Sequence, residues 1–245
     1  MREAQITKAK PKRTPVKPRA RQTILYPESD GKPMADNTRQ FEWIVYIKKG
    51  LDDWFKRDLN VFIAGDLLWY PVKNHPEINT APDVMVTIGR PKGHRSSYKQ
   101  WEEGGLAPQV VFEIWSPSNS LNERAKKLQF YDRYGVEEYY TFDPLTDVLE
   151  GWLRRGRKLA PIADMCDWVS PRLQIKFGRN GTLESPWHLY LPNGRPIELY
   201  ERMSTLRDQA ERQLQSERVA KEAEQAAKEA AWAKLRELGI DPESL

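Results

Sequence analysis

Two acidic residues interrupt the most apolar stretches of this chain, and they constrain its fold more than any other feature. Asp83 opens the run Val84-Met85-Val86, and Glu113 closes the run Val110-Val111-Phe112. Short β-branched runs of this kind predict strands buried on both faces. A carboxylate carried into such a strand is strongly disfavoured unless a partner compensates its charge. Two of them on neighbouring core strands imply a shared positive partner, and a divalent cation can serve both at once. Metal-assisted hydrolysis of a phosphodiester is the chemistry that such a pair supports.

The remaining composition narrows the alternatives. Cys166 is the only cysteine, which excludes a disulfide framework or a cysteine-built zinc site in this chain. His75, His94 and His188 are scattered, against a histidine-built metal site. No apolar run reaches the ~18 residues of a membrane span, and the first residues lack the apolar block of a secretory signal, so a cytoplasmic protein without a membrane partner is expected. The formal net charge is +4. Residues 1–21 contain eight Lys or Arg and one Glu, a net +7, which leaves −3 for the rest. The basicity therefore belongs to a tail suited to non-specific contact with phosphate backbones.

Three regions follow from the pattern: a disordered basic tail over 1–25, a folded domain over 26–198, and a C-terminal helix over 199–245. Within the domain, a helix capped at Asp36, Asn37 or Thr38 runs to about Asp58. Strands are expected over Val61–Tyr70, carrying Asp66, and over Pro82–Ile88. A polar loop spans Gly89–Leu106, and a third strand covers Gln109–Trp115. A helix from Leu121 to Tyr134 closes at Gly135. A fourth strand follows over Glu137–Asp143, then a hairpin about Arg155-Gly156, then short strands to Leu199. The C-terminal segment is rich in Ala, Glu, Lys and Arg. It predicts one long helix, with a polar heptad seam that allows at most a weak coiled-coil pairing of two chains.

The order helix, strand with Asp66, strand with Pro82-Asp83, strand with Glu113, helix with Lys127, strand resembles the core of the PD-(D/E)XK nuclease superfamily. More closely it resembles the cyanobacteria-rich Uma-type restriction-endonuclease family. The matching segments are Gly65-Asp66-Leu67-Leu68-Trp69, Ala81-Pro82-Asp83-Val84, Phe112-Glu113-Ile114-Trp115-Ser116-Pro117, and the run from Lys127 through Tyr131 to Gly135-Val136-Glu137-Glu138-Tyr139. The resemblance implies an α/β restriction-endonuclease-like core, a central mixed sheet flanked by helices, with divalent-metal-dependent endonuclease activity on DNA.

It also implies that Asp83 and Glu113 hold Mg²⁺ or Mn²⁺ with the backbone carbonyl of Ile114. The superfamily lysine belongs two residues after the glutamate, where this chain has Trp115. Lys127 on the following helix is the expected substitute, with Tyr131 one turn later on the same face. Asp66 and Glu42 are accessory acids. Arg90, Lys92, Arg95 and Lys99, interleaved with Tyr98 and Trp101, are candidate nucleic-acid contacts. Two rival readings follow from the same residues: an inactive DNA-binding module, suggested by Trp115, and a scaffold acting through the C-terminal helix.

Overall fold

The computed structural model describes residues 24–29, 31, 33–179 and 187–197, with scattered positions between 215 and 229. Helix α1 (Thr38–Trp54) begins where the Asn37 side chain accepts the Gln40 N–H at 2.9 Å. Its buried Ile44, Ile47 and Leu51 recur at helical spacing and seat it on the sheet. The helix stops at Trp54 rather than near Asp58, because the backbone turns at Phe55–Asp58.

The strands are β1 (Val61–Gly65), β2 (Trp69–Tyr70), β3 (Val84–Ile88), β4 (Tyr98–Lys99) and β5 (Val110–Ile114). After helix α2 (Leu121–Tyr134) come β6 (Glu138–Asp143), β7 (Val148–Arg155), β8 (Lys158–Pro161), β9 (Lys176–Arg179) and β10 (Trp187–Tyr190). Six strands form one mixed sheet in the order β1-β3-β5-β6-β7-β8. Only β5 and β6 run parallel in it, and α2 is the crossover between them. A capping box between Ser120 and Glu123 starts α2, and Gly135 ends it at φ 96°, in the left-handed region.

The sheet separates two apolar layers. Ile44, Ile47 and Leu51 of α1 pack on Val84, Val86, Phe112 and Ile114, and this layer continues to Phe177 and Leu189 of the antiparallel β9–β10 pair. On the opposite face, Tyr131 of α2 meets Met85, Val111, Trp115 and Tyr139. The expected strand Val61–Tyr70 is interrupted. Asp66 adopts φ 48° and donates its N–H toward the carbonyls of Pro82 and Asp83, so β2 leaves the main sheet and pairs with β4. The region expected to be loop over Gly89–Leu106 thus contains β4. No described helix is long and apolar enough to cross a membrane. Most of the basic tail and of the C-terminal helix lies outside the described residues, although the scattered positions at 215–229 are helical and exposed.

Candidate metal centre

Strand register brings the acidic residues to one end of the sheet. Gly65 pairs with Val84, and Val84 with Phe112, in antiparallel ladders. Continuing both ladders by one residue sets Asp66 beside Asp83 and Asp83 beside Glu113. Alternation along β3 and β5 gives Asp83 and Glu113 the face of Met85 and Val111, which is the face covered by α2, and Asp66 lines the same cleft. Gly65 gives the strands close approach at this point, since a Cβ there would stand a tight 3.3 Å from the Asp83 carbonyl oxygen.

Glu113 is 1% exposed and has a partner on each carboxylate oxygen. The Lys127 ammonium donates to Oε2 at 2.5 Å, and the Tyr131 hydroxyl donates to Oε1. Both donors come from one face of α2, four residues apart. Asp83 accepts the Ile114 N–H at 2.6 Å on Oδ2. Burial pushes the Asp83 carboxyl well above the usual carboxylate range, and the charge of Glu113 pushes it further. Burial alone would lower the Lys127 ammonium, but the charges of Glu113 and Asp83 outweigh it and hold the pKa above that of an ordinary lysine. Burial and the Glu113 charge likewise keep Tyr131 protonated.

Trp115 shares the face of Glu113, two residues along the strand, and packs in the apolar layer beneath α2. The Lys127 ammonium lies 5.8 Å from its ring centroid. The lysine thus reaches, from the helix, the face that a strand residue at position 115 would occupy. These groups line an open cleft of about 600 Å³, walled by residues 33–36, Asn79–Ala81 and the start of α2. Lys126 also lines the cleft but is exposed, whereas Lys127 is held by Glu113.

The structure distributes the other candidates unevenly. Asp66 lines the cleft, and its charge acts on both Asp83 and Lys127. Glu42 is exposed on α1, away from the cleft lining. The polar α1 residue that does reach the site is Gln40, whose amide donates to the Ile114 carbonyl at 2.7 Å. Asp36 lines the same cleft and accepts from the hydroxyls of Ser116 and Ser118. Gln40 lies in the first turn of α1 and Asp36 just before its cap, and that position is the only sequence signal for either residue.

The basic segment lies elsewhere. It connects the end of β3 to the start of β5, whereas Asp83 precedes β3 and Glu113 sits near the end of β5, so the connection leaves the opposite end of the sheet. Arg95 is consumed by Glu103 at 2.6 Å and by the Phe62 ring at 3.9 Å. Lys92 donates to the Phe55 carbonyl at 2.6 Å, Arg90 lies against Gly104, and Lys99 faces Glu102 at 3.8 Å.

The donor set at the carboxylate end suits a hard divalent ion. It offers two carboxylates and a backbone carbonyl, all oxygen, as Mg²⁺ or Mn²⁺ requires. Lys127 is the ammonium beside Asp83 and Glu113; the upward shift of Asp83 comes first from burial, with Glu113 and, last, Asp66 adding to it against Lys127 and the Ile114 N–H. Among the described residues, no three His, Cys, Asp or Glu side chains are placed to hold an ion together. Asp66 lines the same cleft as Asp83 and Glu113.

No curated protein matches the chain. Among solved structures, one described as "a putative nuclease belonging to DUF820", from Anabaena variabilis ATCC 29413, is similar at 16% identity with a TM-score of 0.44. The similarity covers 58% of this chain and 77% of that one. A family model described as "Uma2: Putative restriction endonuclease" matches residues 33–181, which hold both sheet faces, Asp83, Glu113, Lys127 and Tyr131. With well over half its length matched, the chain belongs to the Uma2 family.

Proposed function

We propose that this protein is a divalent-metal-dependent endonuclease that hydrolyses phosphodiester bonds in DNA. The observation that carries the reading is Glu113, buried beside Asp83 at a cleft and held by an ammonium and a phenol from one helix face. Asp83, Glu113 and the Ile114 carbonyl would hold Mg²⁺ or Mn²⁺. Such an ion, when bound, lowers the pKa of a coordinated water and offsets charge developing on the phosphate.

The chain's own residues have separable tasks. The charges of Glu113 and Asp83 hold the Lys127 ammonium in its protonated form. It acts as a fixed positive charge beside the reacting phosphate and the attacking water. Tyr131 holds the Glu113 carboxylate in one orientation. Trp115 supplies the apolar floor on which the Lys127 stem and ammonium rest. Lys126, at the exposed rim, meets the backbone of bound nucleic acid.

Incubation of the full chain with plasmid and linear DNA, with Mg²⁺, with Mn²⁺ and with chelator, tests the proposal, using Glu113→Ala as control. Cleavage that requires metal and Glu113 supports it. Binding without cleavage in every metal supports instead a module that recognises DNA without turning it over, the reading that Trp115 at the motif position favours.

A further inference from the structure

The first turn of α1 brings one buried polar side chain to the site from the face opposite α2. Gln40 is 6% exposed, and each end of its amide has a partner. Nε2 donates to the Ile114 carbonyl at 2.7 Å, and Oε1 accepts the Asp36 N–H at 2.8 Å. These contacts fix the amide, since turning it over would set oxygen against oxygen and N–H against N–H. Ile114 is itself held on its other side, where its N–H meets Asp83 at 2.6 Å. A carbonyl oxygen has two lone pairs. Gln40 takes one and leaves the other for the cleft.

We infer that Gln40 is a positioning residue, aiming the Ile114 carbonyl so that its remaining lone pair joins Asp83 and Glu113 around a divalent cation. The inference rests on the proposed function only as far as cation binding. Gln40 stands on a helix anchored by Ile44, Ile47 and Leu51, so its amide is placed by a rigid element. Supporting hydrogen bonds of this kind typically change metal affinity by about 10–100-fold.

The test is calorimetric titration of Mn²⁺ into the full chain, comparing wild type with Gln40→Met, Arg39→Ala and Asp83→Asn. Met keeps the length and apolar stem of Gln40 and removes the donor. Arg39, the neighbouring residue, donates to the Pro144 carbonyl at 3.3 Å and anchors the same turn without touching Ile114. Gln40→Met is expected to weaken Mn²⁺ binding about 10-fold or more, Arg39→Ala to leave it unchanged, and Asp83→Asn to abolish it. Should Gln40→Met not fold, Gln40→Asn retains an amide withdrawn by one methylene and is expected to show the same loss. Wild-type affinity in the Gln40 variant, or an equal loss in Arg39→Ala, overturns the inference. Absence of Mn²⁺ binding by the wild type overturns the cation site itself, and with it the proposed function, which is a separate result.

Discussion

Glu113 and Glu138 lie on neighbouring parallel strands, three residues apart in register, and both are almost fully buried, yet their surroundings differ in kind. Glu138 faces the α1 layer at the start of β6. It accepts from Tyr140 at 2.9 Å, from the Arg172 N–H at 2.6 Å and from the Ser170 hydroxyl, which tie the 165–175 segment to the sheet. Glu113 faces α2 at the end of β5, with an ammonium, a second carboxylate across the ladder and an open cleft. Burial of a carboxylate therefore does not by itself mark a site. At Glu138 the donors from Tyr140, Ser170 and Arg172 close the environment. At Glu113 the neighbouring charges do not balance, and the cleft gives an ion and a substrate access.

The largest expected effect separates these two glutamates by activity. Glu113→Ala should abolish metal-dependent cleavage of plasmid DNA, while Glu138→Gln should cleave at the wild-type rate at temperatures where it is folded. Equal loss in both variants would erase the distinction between the two ends of the sheet. Next comes Lys127→Met, which keeps the apolar stem and should reduce the cleavage rate on the order of 10²–10³-fold, the scale of removing one preorganised electrostatic group. Its Mn²⁺ affinity should hold or rise, because a nearby ammonium opposes a cation. Weakened Mn²⁺ binding would show that the lysine serves the fold of the site rather than the reaction.

Stability sharpens the contrast. Glu138→Ala strands three donors and should cost about 2–4 kcal/mol, lowering Tm by about 2–4 °C for each. Burial, outweighing the bonds from Ser170, Tyr140 and Arg172, raises the Glu138 carboxyl above its usual range. The folded state then binds this proton more tightly than the unfolded one. The ionised group is unfavourable at neutral pH, and this penalty is relieved as pH falls through the folded pKa. Glu138→Gln should flatten that part of the stability–pH profile, measured by thermal melts in buffers from neutral to mildly acidic. Asp83→Asn should act in the opposite direction from Glu138→Ala. It retains an acceptor for the Ile114 N–H and removes a charge that burial and Glu113 both disfavour. A rise in Tm with loss of cleavage is expected, and a fall would mean that Lys127 depends on Asp83 more than Asp83 is repelled by Glu113.

Much of this geometry was legible in the chain because it depends on neighbours in sequence. The α2 helix, read over Leu121–Tyr134, is closed by Gly135 as the sequence indicates, and the paired carboxylates follow from the apolar runs around them. Gln40 was not legible, because its role depends on a contact 74 residues away. The place of the basic connection was less legible. Counting Arg90, Lys92, Arg95 and Lys99 suggests a groove, but an antiparallel pair with Asp83 before its first strand and Glu113 near the end of its second must turn at the far end. That constraint was present in the order of residues and became decisive only once the pairing was known. The interruption at Asp66 likewise depends on the tertiary carbonyls of Pro82 and Asp83, which override a run that reads as one strand.

The smallest effect belongs to Lys126, and it tests whether the site distinguishes adjacent lysines. Successive helical residues point about 100° apart, so Lys126 is exposed at the rim while Lys127 turns in to Glu113. An exposed cation contributes through a screened field and one contact to a flexible phosphate, not through a fixed place beside the reacting atoms. Lys126→Met should therefore change the cleavage rate at saturating DNA by less than about threefold, while weakening DNA binding and lowering the slope of log affinity against log salt by about one. The double variant Lys126→Met/Lys127→Met should then show the rate of Lys127→Met alone. A rate loss in Lys126→Met comparable to that in Lys127→Met would mean that the two ammonium groups exchange places on Glu113, and that the charge beside the carboxylates is shared between neighbouring side chains rather than fixed by the helix.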